Sequence, residues 1–268
     1  MNKIVLITGI SSGFGKHTAE YLAQKDFKIY GTSRKNIEHD PRITVFNMDV
    51  TDPISVQSVI NSVLEKEGKI DIIINNAGMG YSGAIEEFSH EEVKLQMDSN
   101  FYGMVYTIQA ILPAMRKQGG GTIINISSIG GLMGLPFQGF YSASKFAIEG
   151  FSEALRMELK QFNIHVILIN PGDFHTHFTA NRKIISKSRE TSPYENQFRK
   201  TLTIIEKDEN NGLPPTVLAK KIYSILQKKN PSPKYIVSSF EQKLAVILKY
   251  ILPDSWFFKI LEDHYGIK

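Results

Sequence analysis

The chain has no cysteine among its 268 residues. That excludes disulfide staples, thiolate metal ligands and a cysteine nucleophile. It holds a single tryptophan and no interleaved arginine and aromatic motif, which argues against recognition of nucleic acid. No secretion signal is expected, since the N-terminal apolar run Ile4–Ile7 passes directly into a glycine turn, unlike a signal peptide with its longer hydrophobic region and cleavage site. The most apolar part of the tail, 242–258, is broken by Lys243, Lys249 and Pro253 and is too interrupted to span a bilayer. A cytoplasmic enzyme is the expectation.

What is present points to one α/β domain covering 1–268. Hydrophobic residues make up 42% of the chain, enough for a large core. Runs rich in Ile and Val near 3–8, 27–32, 43–47, 71–75, 121–127, 164–169 and 234–237 alternate with helical patterns near 14–25, 53–66, 89–117, 140–161, 214–229 and 240–250. Continuous rather than alternating apolar strands imply helices on both faces, hence a Rossmann-type doubly wound parallel sheet in three layers. Residues 173–213 are too long and polar for an idle connection and are expected to form a substrate lid; 238–268 form a C-terminal helical extension.

The net charge of +4 is uneven, with +5 in residues 211–268 and −1 in the rest. A solvated basic face is the plainer reading. The tail could also lie on a membrane surface as an amphipathic helix, but a cap over the substrate mouth or a dimer contact is preferred.

Tyr141 and Lys145 stand four residues apart on one predicted helix face, and Ser128 lies thirteen residues before the tyrosine, after an apolar run. These are the parts needed to protonate an alkoxide as it forms from a carbonyl. Tyr21 and Lys25 share the spacing, but no strand-end serine faces them, and they read as an ordinary tyrosine and a solvated lysine. Ser128 follows a buried strand, where open α/β sheets bind ligands.

Thr8 to Gly15 join the first strand to the first helix with spacing G-x-x-x-G-x-G, a turn that brings backbone N–H groups close to a diphosphate. With Asn75-Asn76-Ala77-Gly78, Asn100, Ser128, Tyr141/Lys145 and Pro171-Gly172, the turn resembles that of the short-chain dehydrogenase/reductases, in unbroken motif order from Lys3 to about Thr176. The stretches Ser128–Phe137 and Tyr141–Gly150 are most similar to the 17β-hydroxysteroid and retinol dehydrogenase branch.

The resemblance implies a nicotinamide cofactor held by Gly9, Ser11, Ser12, Gly13, Phe14, Gly15, Asp49, Val50, Asn76, Ala77, Gly78, Tyr141, Lys145, Pro171, Gly172 and Thr176. After the second strand no acid is available for the ribose hydroxyls of NAD. Arg34 stands there instead, and its guanidinium fork suits the 2′-phosphate of NADP(H). Ser128 is expected to bond the reacting oxygen, and Tyr141 to exchange its proton with a pKa lowered by the Lys145 ammonium and the oxidised cofactor. Asn100 is expected to break its helix and hold a water leading from Lys145.

By family position, Met133, Phe137, Phe174 and Phe178, together with Met79, Tyr81 and Phe140, form an apolar pocket for a hydrophobic ketone, aldehyde or alcohol. His175 could line it; no metal site is expected at His175-Thr176-His177, which lacks a third ligand. A 3-oxoacyl-thioester reductase and a non-catalytic NADP(H)-sensing protein are the alternatives. A homodimer or homotetramer is expected.

Overall fold

The β-branched runs expected to be buried on both faces become a central parallel sheet, because only pairing satisfies their backbone groups once helices cover them. The computed structural model describes residues 2–176, 178–185 and 192–267. In chain order the elements are β1 Lys3–Ile7, α1 Gly13–Ala23, β2 Phe27–Ser33, β3 Ile43–Asn47, α2 Pro53–Glu67, β4 Ile72–Asn75, β5 Tyr81–Ser82, α3 His90–Met97 and α4 Gly103–Lys117. There follow β6 Gly121–Ile126, α5 Gly139–Leu159, β7 Ile164–Pro171, α6 Phe178–Asn181, β8 Lys183–Ile184, α7 Glu195–Asn210, α8 Pro215–Leu226, β9 Lys234–Val237, α9 Phe240–Ile251 and α10 Asp254–Tyr265.

Strand order is β3-β2-β1-β4-β6-β7-β9, all parallel. The order reverses between β1 and β4, so their carboxyl ends diverge into a crevice. One core joins the sheet to α2, α4 and α5 through residues such as Ile60, Ile108 and Ile148. The other joins it to α1 and α8 through Leu22, Leu218 and Ile222. A buried polar chain crosses the sheet centre, Asn75 Nδ2 donating to Asn125 Oδ1 (2.8 Å) and Asn125 Nδ2 to Ser152 Oγ (2.8 Å).

The single helix expected over 89–117 is interrupted by a π-helical turn, Asp98–Tyr102, between α3 and α4. The 173–213 excursion closes at its base, where Leu213 N donates to Asp173 O (3.1 Å) and His175 N to Leu213 O (3.0 Å). Within it β8 pairs with β5, and α7 packs on α10 through Thr201 Oγ1 donating to Tyr265 O (3.1 Å). This packing brings Tyr265 of α10 to the cavity at the carboxyl edge of the sheet. Phe240, Leu244, Ile247 and Ile251 form an exposed stripe on the outer face of α9. No described helix is long and apolar enough to cross a membrane.

Candidate active site

The crevice between β1 and β4 opens into a cavity of about 540 Å³ that runs from the glycine turn to α10. Gly9 and Gly13 have φ of +72° and +55°, a region side-chain-bearing residues seldom adopt. At Gly15 a Cβ would lie 2.2 Å from Gly9 O and 2.5 Å from Asn76 Nδ2, so only glycine lets α1 start this close to the turn. Asn76 locks the arrangement by donating Nδ2 to Thr8 O (2.9 Å) and Gly9 O (2.8 Å), while Thr8 Oγ1 accepts from the N–H groups of Asn76 and Ala77. The Ser12 side chain caps no N–H of α1, leaving the positive helix end to a ligand.

Most of the expected cofactor residues line this cavity: Gly9, Ser11, Ser12, Gly13, Phe14, Arg34, Val50, Asn76, Ala77, Gly78, Tyr141, Lys145, Pro171, Gly172 and Thr176. Gly15 lies behind it as the packing glycine. Asp49 is outside the lining; its Oδ1 accepts from Thr51 N (2.9 Å) and Thr51 Oγ1 (2.8 Å), and Met48 takes its place beside Val50. Arg34 and Lys35 are exposed at the end of β2, and among the described residues no ion pair engages Arg34. A nicotinamide dinucleotide fits these features: a turn without side chains, a free helix N-terminus and polar groups along one crevice.

The reactive end is assembled by β6 and α5. Ser128 leaves β6 in extended conformation, and its Oγ accepts from Gly130 N (3.0 Å). Tyr141 and Ser128 line the same cavity, and the Ser128 side chain acts on the Tyr141 phenol. Lys145 Nζ donates to Ile126 O (3.0 Å) and lies 5.7 Å from the Tyr141 ring centroid. Tyr21, with the same spacing to Lys25, instead packs edge-on against Tyr223 on the far side of the sheet.

The acidity expected of Tyr141 is not a property of the protein alone. Burial pushes its phenol up to about 12, against the opposing Ser128 hydrogen bond, and burial likewise lowers Lys145 to about 8 against the Glu149 carboxylate. Desolvation exceeds the opposing Ser128 and Glu149 effects.

Asn100 lies buried in the π-helical turn between α3 and α4. Its Oδ1 accepts from Met79 N (2.8 Å), and its Nδ2 donates to Met79 O (3.0 Å) and Ser144 Oγ (3.1 Å). The π-turn presents it to the loop after β4, which it clamps against α5.

Of the expected substrate residues, Ser128, Met79, Phe174 and Phe178 line the cavity. Met133 does not; it is 3% exposed and packs with Leu132, Val246 and Phe257 under the C-terminal helices. Phe137 has φ of +58° and turns its ring onto Phe198, 5.3 Å between centroids. Phe140 and Tyr81 both pack against Phe88. His175 is exposed, with Nδ1 3.0 Å from Asn210 O, and His177 lies outside the described residues. Among the described residues no group of three or more His, Cys, Asp or Glu is arranged to hold a metal.

In place of the missing aromatics the cavity has Ile129, Leu135, Ile205 and an unexpected polar end, with Asp173, Asp208, Glu209 and Lys183 beside the phenol of Tyr265. Burial, then Glu209 and Asp208, push the Asp173 carboxyl up to about 6. Asp173 follows the Pro171-Gly172 pair and could have been suspected on that ground. Nothing local marks Asp208, Glu209 or Tyr265, which arrive from distant helices.

A parallel sheet with this strand order and a Ser–Tyr–Lys set beside a glycine turn define a nicotinamide-dependent oxidoreductase. The family model for short chain dehydrogenase matches residues 3–184, and the chain belongs to that family. It is 47% identical over 266 residues to 3-ketodihydrosphingosine reductase of Bacteroides thetaiotaomicron, covering 99% of each chain. To human 17-beta-hydroxysteroid dehydrogenase type 1 it is 38% identical over 192 residues, covering 65% of this chain and 58% of that one. The solved structure of ElxO with NADP bound superposes with a TM-score of 0.71 at 26% identity, covering 88% of this chain and 96% of that one.

Proposed function

We propose that the protein is an NADP(H)-dependent reductase of a long-chain ketone, of the 3-ketodihydrosphingosine type. The observation that carries this reading is the meeting, in one cavity, of the Ser128–Tyr141–Lys145 set with a cofactor crevice that ends at Arg34. The full-length similarity to a 3-ketodihydrosphingosine reductase supports the substrate class, whereas the similarity to the steroid enzyme covers only about two thirds of the chain. Arg34 and Lys35, with no carboxylate at the end of β2, support NADP(H) over NAD(H).

When bound, the reduced nicotinamide supplies the hydride. The chain's own residues orient the carbonyl and deliver the proton. Ser128 and Tyr141 line the same cavity, where their two hydroxyls would hold the carbonyl oxygen. A phenol held near 12 is fully protonated at neutral pH, so Tyr141 enters reduction as the acid. As negative charge grows on the substrate oxygen, the Tyr141 proton passes to it and the neighbouring Lys145 ammonium stabilises the phenolate left behind. Phe178, Leu135, Ile129 and Ile205 provide apolar contact for a chain.

Turnover of 3-ketodihydrosphingosine by the purified protein, followed as NADPH oxidation beside steroid, retinoid, aliphatic ketone and 3-oxoacyl-thioester controls, tests the reading. Preference for a thioester, or failure to reduce any ketone, refutes it.

A further inference from the structure

Tyr141, Lys145, Glu149 and Glu153 succeed one another at four-residue spacing along α5. They share one stripe of the helix, a phenol and an ammonium followed by two carboxylates. The first two belong to the reactive end. Glu149 is outside the cavity lining, yet it is only 6% exposed, and a buried carboxylate needs fixed partners. Two strands supply them. Asn170 Nδ2 from β7 donates to Glu149 Oε1 (2.6 Å), and Lys234 Nζ from β9 pairs with Oε2 (2.8 Å). Lys234 also reaches the exposed Glu153 (3.2 Å).

The same network touches both halves of the reactive end. Asn170 is fully buried, and its Nδ2 donates a second hydrogen bond to Ser128 O (3.0 Å), so Glu149 and the serine loop share one amide. Both partners can only accept, which fixes the way that amide faces. On the other side Lys145 is buried, and burial works against its charge. Among the described residues Glu149 is the charged side chain that opposes this loss. An ammonium that is to stabilise a phenolate has to be charged before the phenolate exists. A carboxylate one helical turn away meets that need throughout the reaction.

We propose that Glu149 is a positioning residue of the reaction: held by Asn170 and Lys234, its carboxylate keeps Lys145 an ammonium beside Tyr141 and, through Asn170, ties that charge to the loop carrying Ser128. The inference rests on the reductase reading above, in which Tyr141 is the acid and Lys145 its partner. Glu149 is faced by Lys145 and Glu153 of α5, by Lys234 of β9 and by the uncharged Asn170 of β7. Lys234 divides its ammonium between Glu149 and Glu153, so it neutralises Glu149 only in part. Charge is left for Lys145.

The test is the titration of Lys145 itself, followed by carbon-13 NMR of the lysine-labelled, NADP-loaded protein, with the signal assigned by its loss in Lys145→Met. Glu149→Gln keeps an acceptor for Asn170 and removes the charge, so the Lys145 midpoint is expected to fall by about one pH unit. Lys145 must be an ammonium to act, so the alkaline limb of kcat for ketone reduction is expected to move down with it. Glu149→Asp, which keeps the charge, and Glu153→Gln, which removes an exposed one, are expected to stay within about 0.3 unit of the unaltered protein. An unmoved Lys145 midpoint, an unmoved kinetic limb, or equal falls in the Gln and Asp variants of Glu149 overturns the inference even though ketones are reduced. A fall seen by NMR in a protein that reduces no ketone supports the hold of Glu149 on Lys145, and the reductase reading fails instead. Should Glu149→Gln not fold, Lys234→Gln on the edge strand decides. It removes the competing cation and is expected to raise the Lys145 midpoint; a fall or no change overturns the inference.

Discussion

The ring of Phe178 lies against that of Tyr141, centroids 5.8 Å apart and planes inclined at 55°, so the excursion after β7 touches the proton donor itself. An added Cβ at Gly80 would come within 2.7 Å of the same Phe178 ring, which wedges α6 against the loop after β4. This contact makes Phe178 the point at which a closing segment would meet substrate. Phe178→Ala is expected to weaken large ketones more than small ones, because it removes apolar contact only where the substrate reaches α6. Hydrogen exchange over 192–213 is expected to slow when NADPH and a long-chain ligand bind, with α5 changing less. Equal effects on all substrate sizes, or full protection without ligand, would show a fixed wall instead.

Tyr141→Phe keeps the ring that packs on Phe178 and removes the proton. Turnover is expected to fall by roughly 10²–10⁴-fold with cofactor affinity nearly unchanged. Tyr21→Phe, on the opposite side of the sheet, is expected to leave the rate within about twofold. Steady-state kinetics and NADPH titration by nicotinamide fluorescence on both variants separate the two tyrosines.

Arg34 is exposed and has no ion pair among the described residues, so its influence is expected to fall on the cofactor and not on stability. Arg34→Asp replaces attraction for a 2′-phosphate with repulsion and is expected to weaken NADPH by at least about tenfold while sparing or improving NADH. Equal affinity of the unaltered protein for the two cofactors would remove the case for NADP(H).

Asp173 makes stability depend on pH. Its folded-state pKa of about 6 is above the ordinary 3.8, so folding takes up a proton between those values and stability falls as pH rises through that window. Above about pH 6 the destabilisation is fully present; below about pH 4 it vanishes. Asp173→Asn is therefore expected to raise stability at pH 7.5 by on the order of 1–3 kcal/mol, a few degrees in Tm, and to change little at pH 4. Thermal melts at the two pH values check the difference; a variant equally affected at both would mean that the Gln242 contact, not the charge, is what matters.

Much of the molecule follows from local sequence. The Ile and Val runs could only be buried strands, and all seven long strands formed where the pattern placed them, because strand burial is written in the side chains themselves. The glycine turn, Asn76, Ser128, Tyr141 and Lys145 were legible for a related reason. Each is tied to the end of a strand or the start of a helix, so spacing along the chain carries over to spacing in the fold.

The far half of the cavity was decided by packing between distant segments. Met133 turns away from the site because α9 and α10 provide Val246 and Phe257 as a dry partner, and Phe137 turns toward Phe198 of α7. Asp208, Glu209 and Tyr265 reach the cavity that holds Tyr141 only through the docking of α7 and α10, over sequence separations that no local periodicity records. The pKa values belong with them, since the desolvation that raises Tyr141 and lowers Lys145 exists only once the surrounding segments exclude water. Chemistry held by single elements was determined by the sequence alone; selectivity and acidity, which depend on what several elements enclose together, were determined by the tertiary structure.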